Sequence, residues 1–135
     1  LLLNWEKVTG QAVIPEWTAG PPPLPNRIFD PAIFKEGDYY YTLTAGQTAD
    51  GPGGKNVRAT YLHRSSDLEN WQYIHQFLED DRYGMVGDDG ACPYFWPIGD
   101  RHILLFFSHY SGGQYLLGDV LLRGLVFCFF VNFRK

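Results

Sequence analysis

Between Asp30 and His75 the chain alternates short apolar bursts with turn-forming residues. Ala32-Ile33-Phe34 is an apolar run, Lys35-Glu36-Gly37-Asp38 is turn chemistry, and Tyr39-Tyr40-Tyr41-Thr42-Leu43-Thr44 has strong β-propensity. A Gly-Asp pair between two such runs predicts a hairpin. A Gly-rich loop is expected over Ala45–Asn56, a third strand over Val57–Arg64, a turn over Ser66–Asn70 and a fourth strand over Trp71–His75. The pattern then restarts. Cys92-Pro93-Tyr94-Phe95-Trp96 is a short aromatic run, Pro97-Ile98-Gly99-Asp100 a turn, Arg101–Ser108 a long apolar strand, and Gln114–Asp119 the start of another.

The two halves are in phase. Asp30-Pro31 and Cys92-Pro93 lie 62 residues apart, as do Gly37-Asp38 and Gly99-Asp100. Four short antiparallel strands that start over are the signature of β-propeller blades. A period of 62 exceeds the usual spacing of about 40–50. The Ala45–Asn56 loop and the acidic Glu79–Gly90 stretch absorb the excess. A sandwich or jelly roll also has short alternating strands, but does not by itself explain an equally spaced restart.

These signals divide the chain into a connector over 1–30, one blade over 31–77, the start of the next blade over 91–119 and a divergent apolar tail over 120–135. In the connector, Gln11–Pro15 suits a short edge strand and Gly20–Pro25 must be extended. That proline run fits a rigid connector or a polyproline ligand motif. The tail segment Val120–Val131 is too short to cross a bilayer and contains Arg123. It fits a buried strand or helix, or an artificial or frame-shifted end. Leu1–Leu3 is too short for a signal-peptide core. The chain opens on Leu1 rather than Met, and it is expected to be a piece of a larger propeller.

Composition narrows the functional classes. Aromatics reach 17% beside 15 Gly and 9 Pro, which favours β-rich structure over a helical bundle. The net charge is −4, so no basic surplus is available for a phosphate backbone and nucleic-acid binding is not expected. Two cysteines, Cys92 and Cys128, are too few for a disulfide scaffold. Gly51-Pro52-Gly53-Gly54-Lys55-Asn56 resembles a phosphate loop but fails: Ala49 stands where its first Gly belongs and Asn56 where its Ser/Thr belongs. His63, His75, His102 and His109 have no metal-ligand spacing, and His63 and His75 read as ordinary polar positions on strand faces. No metal and no cofactor are expected.

Two acidic features remain. Glu79-Asp80-Asp81 with Asp88-Asp89 reads either as a solvated loop or as a source of carboxylates at the mouth of a channel. Asp30 begins the first strand of a blade, the position that lines a propeller channel. Glycosidases need two carboxylates flanking one bond, and innermost strands of different blades can supply them. The alternative is that Asp30 only turns the chain before Pro31.

Asn26-Arg27-Ile28-Phe29-Asp30-Pro31-Ala32-Ile33-Phe34 with Gly37-Asp38-Tyr39-Tyr40 resembles the Arg-Asp-Pro block of glycoside hydrolase family 32. Ser66-Asp67-Leu68-Glu69-Asn70-Trp71 resembles that family's Ser-x-Asp-Leu-x-x-Trp block, and Gly90-Ala91-Cys92-Pro93-Tyr94-Phe95-Trp96-Pro97 its Glu-Cys-Pro block. The resemblance runs from about residue 4 to residue 119. It implies an all-β fragment of a five-bladed propeller, about two four-stranded antiparallel blades, from a protein that hydrolyses fructosyl or related glycosides. The expected partner is a carbohydrate, with neither nucleic acid nor membrane.

By that resemblance Asp30 is the transition-state stabiliser. The family nucleophile belongs to an Asn-Asp-Pro-Asn-Gly block that this chain lacks, and its matching region would lie upstream of Leu1. The acid/base Glu position holds Ala91, and the Arg of Arg-Asp-Pro is replaced by Phe29. Asp89, two residues before Ala91, is the candidate displaced acid: it would share the face of Ala91 if the strand extends that far back, with Gly90 giving the backbone freedom to swing. Asp88 is the neighbouring candidate. Tyr94, Phe95 and Trp96 offer stacking surface for a sugar ring, or else pack between blades. The chain alone is expected to be inactive. The other readings are a non-catalytic carbohydrate-binding propeller and a truncated structural remnant.

Overall fold

The structure, a computed structural model, describes residues 4–7, 9–15, 28–78, 85–123 and 126–131, with backbone alone over 119–131. The proline run at 20–25 and the acidic residues 79–81 lie outside the described residues, as do the side chains of the apolar tail. Eight strands form two antiparallel sheets. The first is a meander of β1 (Ile28–Glu36), β2 (Tyr39–Thr48), β3 (Val57–Ser65) and β4 (Gln72–Gln76). The second is a meander of β5 (Ala91–Ile98), β6 (Arg101–Ser108), β7 (Gly112–Arg123) and β8 (Val126–Val131). The described strands close into no barrel or ring.

Each sheet opens with the same construction. Gly37-Asp38 and Gly99-Asp100 form two-residue hairpin turns, with φ of 58° at Gly37 and 60° at Gly99. Only glycine adopts that left-handed conformation at no steric cost. Upstream, the β1–β2 register shifts between Phe29 and Ala32, and the β5–β6 register between Ala91 and Tyr94. These bulges fall on Asp30-Pro31 and Cys92-Pro93, where a proline lacking an N–H is tolerated within a sheet. Asp30 has φ 49° and Cys92 φ 50°. The 62-residue repeat read in the sequence is therefore a repeat of backbone conformation.

The core lies between the sheets. Opposed residues share a face, so Phe34, Tyr41, Leu43 and Leu62 line one side of the first sheet. They pack on Leu104, Phe106 and Leu116 of the second, with Phe77 completely buried and Phe95 half-buried beside them. Phe95 meets Phe34 at 5.7 Å and Phe77 at 5.1 Å between ring centroids. The Arg58 guanidinium lies 4.0 Å over the Phe106 ring, so a buried cation helps join the two sheets.

The strands depart from expectation in three places. The loop expected over Ala45–Asn56 is shorter, because β2 runs on to Thr48, paired with Val57 and held by the Tyr61 hydroxyl donating to the Gln47 carbonyl at 2.7 Å. Pro97-Ile98 belongs to β5 rather than to the turn, since Pro97 pairs with His102 and Ile98 with Arg101. Past Asp119 the pairing continues through β7 and β8, so the tail segment takes the strand form among the alternatives expected for it. Gln11–Pro15 is not a strand. The Thr9 hydroxyl donates to the Gln11 carbonyl and accepts the Gln11 N–H, and such local bonds compete with a ladder.

The turn at Ser66–Asn70 is a dense hydrogen-bonded unit. The Asp67 carboxylate accepts from the Ser65 hydroxyl, the Glu69 and Asn70 N–H groups and the Asn70 amide, while Trp71 Nε1 donates to the Leu68 carbonyl. Asn70, then the Glu69 N–H and the Ser65 hydroxyl, hold the Asp67 carboxyl well below the usual carboxylate range.

Two outcomes follow. Phe77→Ala should lower stability by about 3–5 kcal/mol through a cavity between the sheets, whereas Trp5→Ala, at an exposed site, should change it by less than about 0.5 kcal/mol; urea unfolding checks both. Asp67 is more acidic folded than unfolded, so its contribution is present above about pH 4 and fades as pH falls below that. Melting temperature followed from neutral to acid pH should fall less below about pH 4 in Asp67→Asn than in the parent chain.

Candidate functional site

The two bulges sit side by side, because β5 lies against β1 and β2. Asp30, lifted out of the strand by its positive φ, is exposed, and its Oδ2 accepts the Cys92 N–H at 3.3 Å. The contact joins equivalent positions of the two repeats. The Cys92 thiol is pushed above the usual cysteine range, first by lost hydration, then by the charge of Asp30 and its hydrogen bond, then by the charge of Asp89. Cys92 is thus hydrogen-bonded to Asp30 and lies within the field of Asp89.

Asp89 reaches this place by a route other than strand alternation. Strand β5 begins at Ala91, and the preceding Gly90 has φ 61°, so Asp89 lies outside the strand and does not share the face of Ala91 by periodicity. Gly90 is also held close: a Cβ there would stand 3.0 Å from Arg58 Cδ. The freedom expected of Gly90 is spent on a close approach to the Arg58 stem. Asp89 Oδ1 lies 3.3 Å from His109 Nε2, a pair that is ionic when the imidazole is protonated.

Asp88 is buried rather than solvated. Its Oδ1 accepts the Asp89 N–H at 3.0 Å and the His109 N–H at 3.3 Å. The loop bearing these residues is tied down further by Gln47 Nε2, which donates to the Gly87 and Asp88 carbonyls, and by the Gly87 N–H, which donates to the Asn56 carbonyl. Asp88 thus positions Asp89 and His109. Neither His109 nor the positioning role of Asp88 was readable as part of the site. Their signal is spatial, since 21 residues separate Asp88 from His109.

The three aromatic candidates separate. Tyr94 and Trp96 are exposed on the outer face of the second sheet, their rings 6.4 Å apart. Phe95 points the other way and packs between the sheets, with His102 stacked on it at 5.2 Å. His63 lies on β3, as expected, and is buried there, edge-on to Tyr73 at 5.5 Å. Among the described residues no group of three or more His, Cys, Asp or Glu is arranged to hold a metal ion. No helix of the described residues is long and apolar enough to cross a membrane.

Residues 2–123 match the glycosyl hydrolases family 32 N-terminal domain, and the chain belongs to that family. A sucrose-6-phosphate hydrolase of Zymomonas mobilis subsp. mobilis is 28% identical over 80 residues, which is 57% of this chain and 15% of that protein. One of Vibrio alginolyticus is 27% identical over 104 residues, 68% of this chain and 20% of that protein. A GH32 β-fructofuranosidase of Bombyx mori shares the fold over 84% of this chain and 25% of its own, with a TM-score of 0.62 and 21% identity. The chain therefore spans between 15% and 20% of the length of these two sucrose-6-phosphate hydrolases.

The charges around Cys92 give a direct test of the site. Asp30→Asn should lower the Cys92 thiol pKa and speed its alkylation by iodoacetamide near neutral pH, because the thiolate is the reactive form. Peptide mapping by mass spectrometry reads the rate at Cys92 alone. An unchanged rate would separate Asp30 from the thiol.

Proposed function

We propose that this chain is part of a five-bladed family 32 propeller acting on fructosyl or related glycosides, with Asp30 as its transition-state stabiliser. The observation that carries the reading is the display of Asp30: an exposed carboxylate on a bulge at positive φ, beside the start of the adjacent sheet. The relatives carry the names sucrose-6-phosphate hydrolase and β-fructofuranosidase, which favours a fructosyl substrate. Family 32 chemistry retains configuration: one Asp attacks the fructosyl carbon, a Glu protonates the leaving oxygen and a second Asp stabilises the charge that develops. A carboxyl group displayed on the bulge near the start of β1 suits the last role, since a carboxylate stabilises an oxocarbenium-like centre.

The family positions for the other two roles are not occupied in this chain. No Asn-Asp-Pro-Asn-Gly block occurs in it, and Ala91 at the acid position has no proton to give. General acid catalysis is worth about 100- to 10,000-fold, and without the nucleophile no covalent intermediate forms. The chain alone should release no measurable fructose from sucrose or inulin. Release that disappears in Asp30→Ala would overturn this.

If a longer protein containing this chain is an enzyme, Asp89 is the displaced acid. Its place two residues before Ala91, on the segment leading into β5, supports it. In that protein Asp89→Asn should lose most activity while remaining folded, and azide offered as an external nucleophile tests for an acid/base role. Equal rates in the parent and in Asp89→Asn would remove Asp89.

A second reading, a carbohydrate-binding propeller without catalysis, is favoured by Ala91 and by the exposed Tyr94–Trp96 pair. Titration of the chain with fructosides, followed by tryptophan fluorescence, distinguishes the two: saturable binding without turnover in the longer protein supports binding alone.

A further inference from the structure

Ala91, which has no proton to give, pairs with Phe107 at the end of the β5–β6 ladder. Two residues beyond each of them stand Asp89 and His109. The ladder has ended there, and the side chains make the contact: Asp89 Oδ1 lies 3.3 Å from His109 Nε2. The backbone under this pair is fixed twice. Asp88 Oδ1 accepts the N–H of Asp89 and the N–H of His109, so one buried carboxylate sets the position of both. Ser108 Oγ accepts the Tyr110 and Ser111 N–H groups and shapes the turn that carries His109. The two side chains differ in access. That of Asp89 is 19% exposed and that of His109 68%. The open member of the pair is the imidazole.

Chemistry decides which member can act as an acid. An imidazole keeps its proton to higher pH than a carboxyl group does, so a proton shared between the two resides on the ring. A carboxylate only accepts hydrogen bonds, so Asp89 faces an N–H at Nε2, and Nδ1 is the second donor of the imidazolium. We propose that the displaced acid is the Asp89–His109 pair, with the transferable proton on His109 and Asp89 as the positioning residue for its ring. The proposal rests on the glycosidase reading and deepens it at one role, leaving Asp30 as it stands. In the cleavage step the Nδ1 proton passes to the glycosidic oxygen. The bond from that oxygen to the fructosyl carbon breaks with its electron pair going to oxygen, and the carboxylate nucleophile of the longer protein bonds to the carbon. The ring is left neutral, with its Nε2–H still donating to Asp89. In the second step Nδ1 takes a proton from the attacking water, and the nucleophile departs with its bonding electrons.

The experiment uses the longer protein that contains this chain and its nucleophile, with sucrose and an aryl fructoside as substrates. His109→Gln should slow sucrose hydrolysis about 100- to 10,000-fold. It should slow the aryl fructoside far less, since a phenolate leaves without needing a proton. The parent's rate on sucrose should fall as pH rises and the imidazolium is lost, and in Asp89→Asn that fall should move to lower pH. Circular dichroism checks the fold of each variant, and His109→Asn replaces His109→Gln if the latter does not fold. Asp89→Asn loses activity on either account, so His109 decides. A His109→Gln rate on sucrose equal to the parent's would overturn the role of His109 and leave Asp89 alone as the acid. Equal losses on the two substrates would overturn it as well, being the mark of a ring that only supports the site. A longer protein that turns over neither substrate would overturn it together with the glycosidase reading, so the two failures are distinct.

Discussion

Apolar contact between two sheet faces sets everything else in this molecule. Neither four-stranded meander has a second layer of its own, and a sheet with one bare apolar face is not stable alone in water. Phe77, wholly buried between the sheets, and Phe95, which touches both Phe34 and Phe77, fix how closely the sheets approach. That approach brings the start of β5 against β1. The hydrogen bond from Cys92 to Asp30, about the weakest geometry in the site at 3.3 Å, therefore rests on ring packing a few residues along the same two strands. Burial supplies the position, and the polar contact reports it.

The loop before β5 works on the same logic with different means. Asp88 is buried with its carboxylate committed to two backbone N–H groups. An anion held by N–H donors is well satisfied, and it organises the chain around it. One consequence is that Asp89 and His109 meet although neither belongs to a regular stretch of strand. The other is that Gly90 has to remain glycine for two reasons at once, its positive φ and the 3.0 Å approach of Arg58 Cδ to where a Cβ would be.

Much of this was legible in the residues, and the reasons differ from place to place. The strands β1 to β4 and their turns show in the alternation because each buries one face. The Ser66–Trp71 segment was legible because its turn is built from local hydrogen bonds. What could not be read was anything settled across the sheets. The alternation of Tyr94, Phe95 and Trp96 says that Phe95 differs from its neighbours, but only the packing of Phe34 and Phe77 says which side is the core. Asp88 looked like one more charge in an acidic loop, and its partner is the N–H of His109, a residue from the distant turn after β6. β2 ran past its expected end because Ala45–Thr48 is sheltered by β3, which no local propensity records.

The paired bulges separate two kinds of information in the chain. A strand residue ordinarily commits its neighbours: turn one side chain outward and the next must turn inward. Asp30 and Cys92 stand where that commitment lapses, each in a left-handed conformation followed by a proline. The side chain at such a point can change its chemistry without disturbing the alternation of Ala32 to Glu36 or of Tyr94 to Ile98. The protein displays this within its own length, holding a carboxylate at one bulge and a thiol at the other on near-identical backbone. Each bulge is thus a socket: the chemistry held there is set apart from the packing of the strand that carries it.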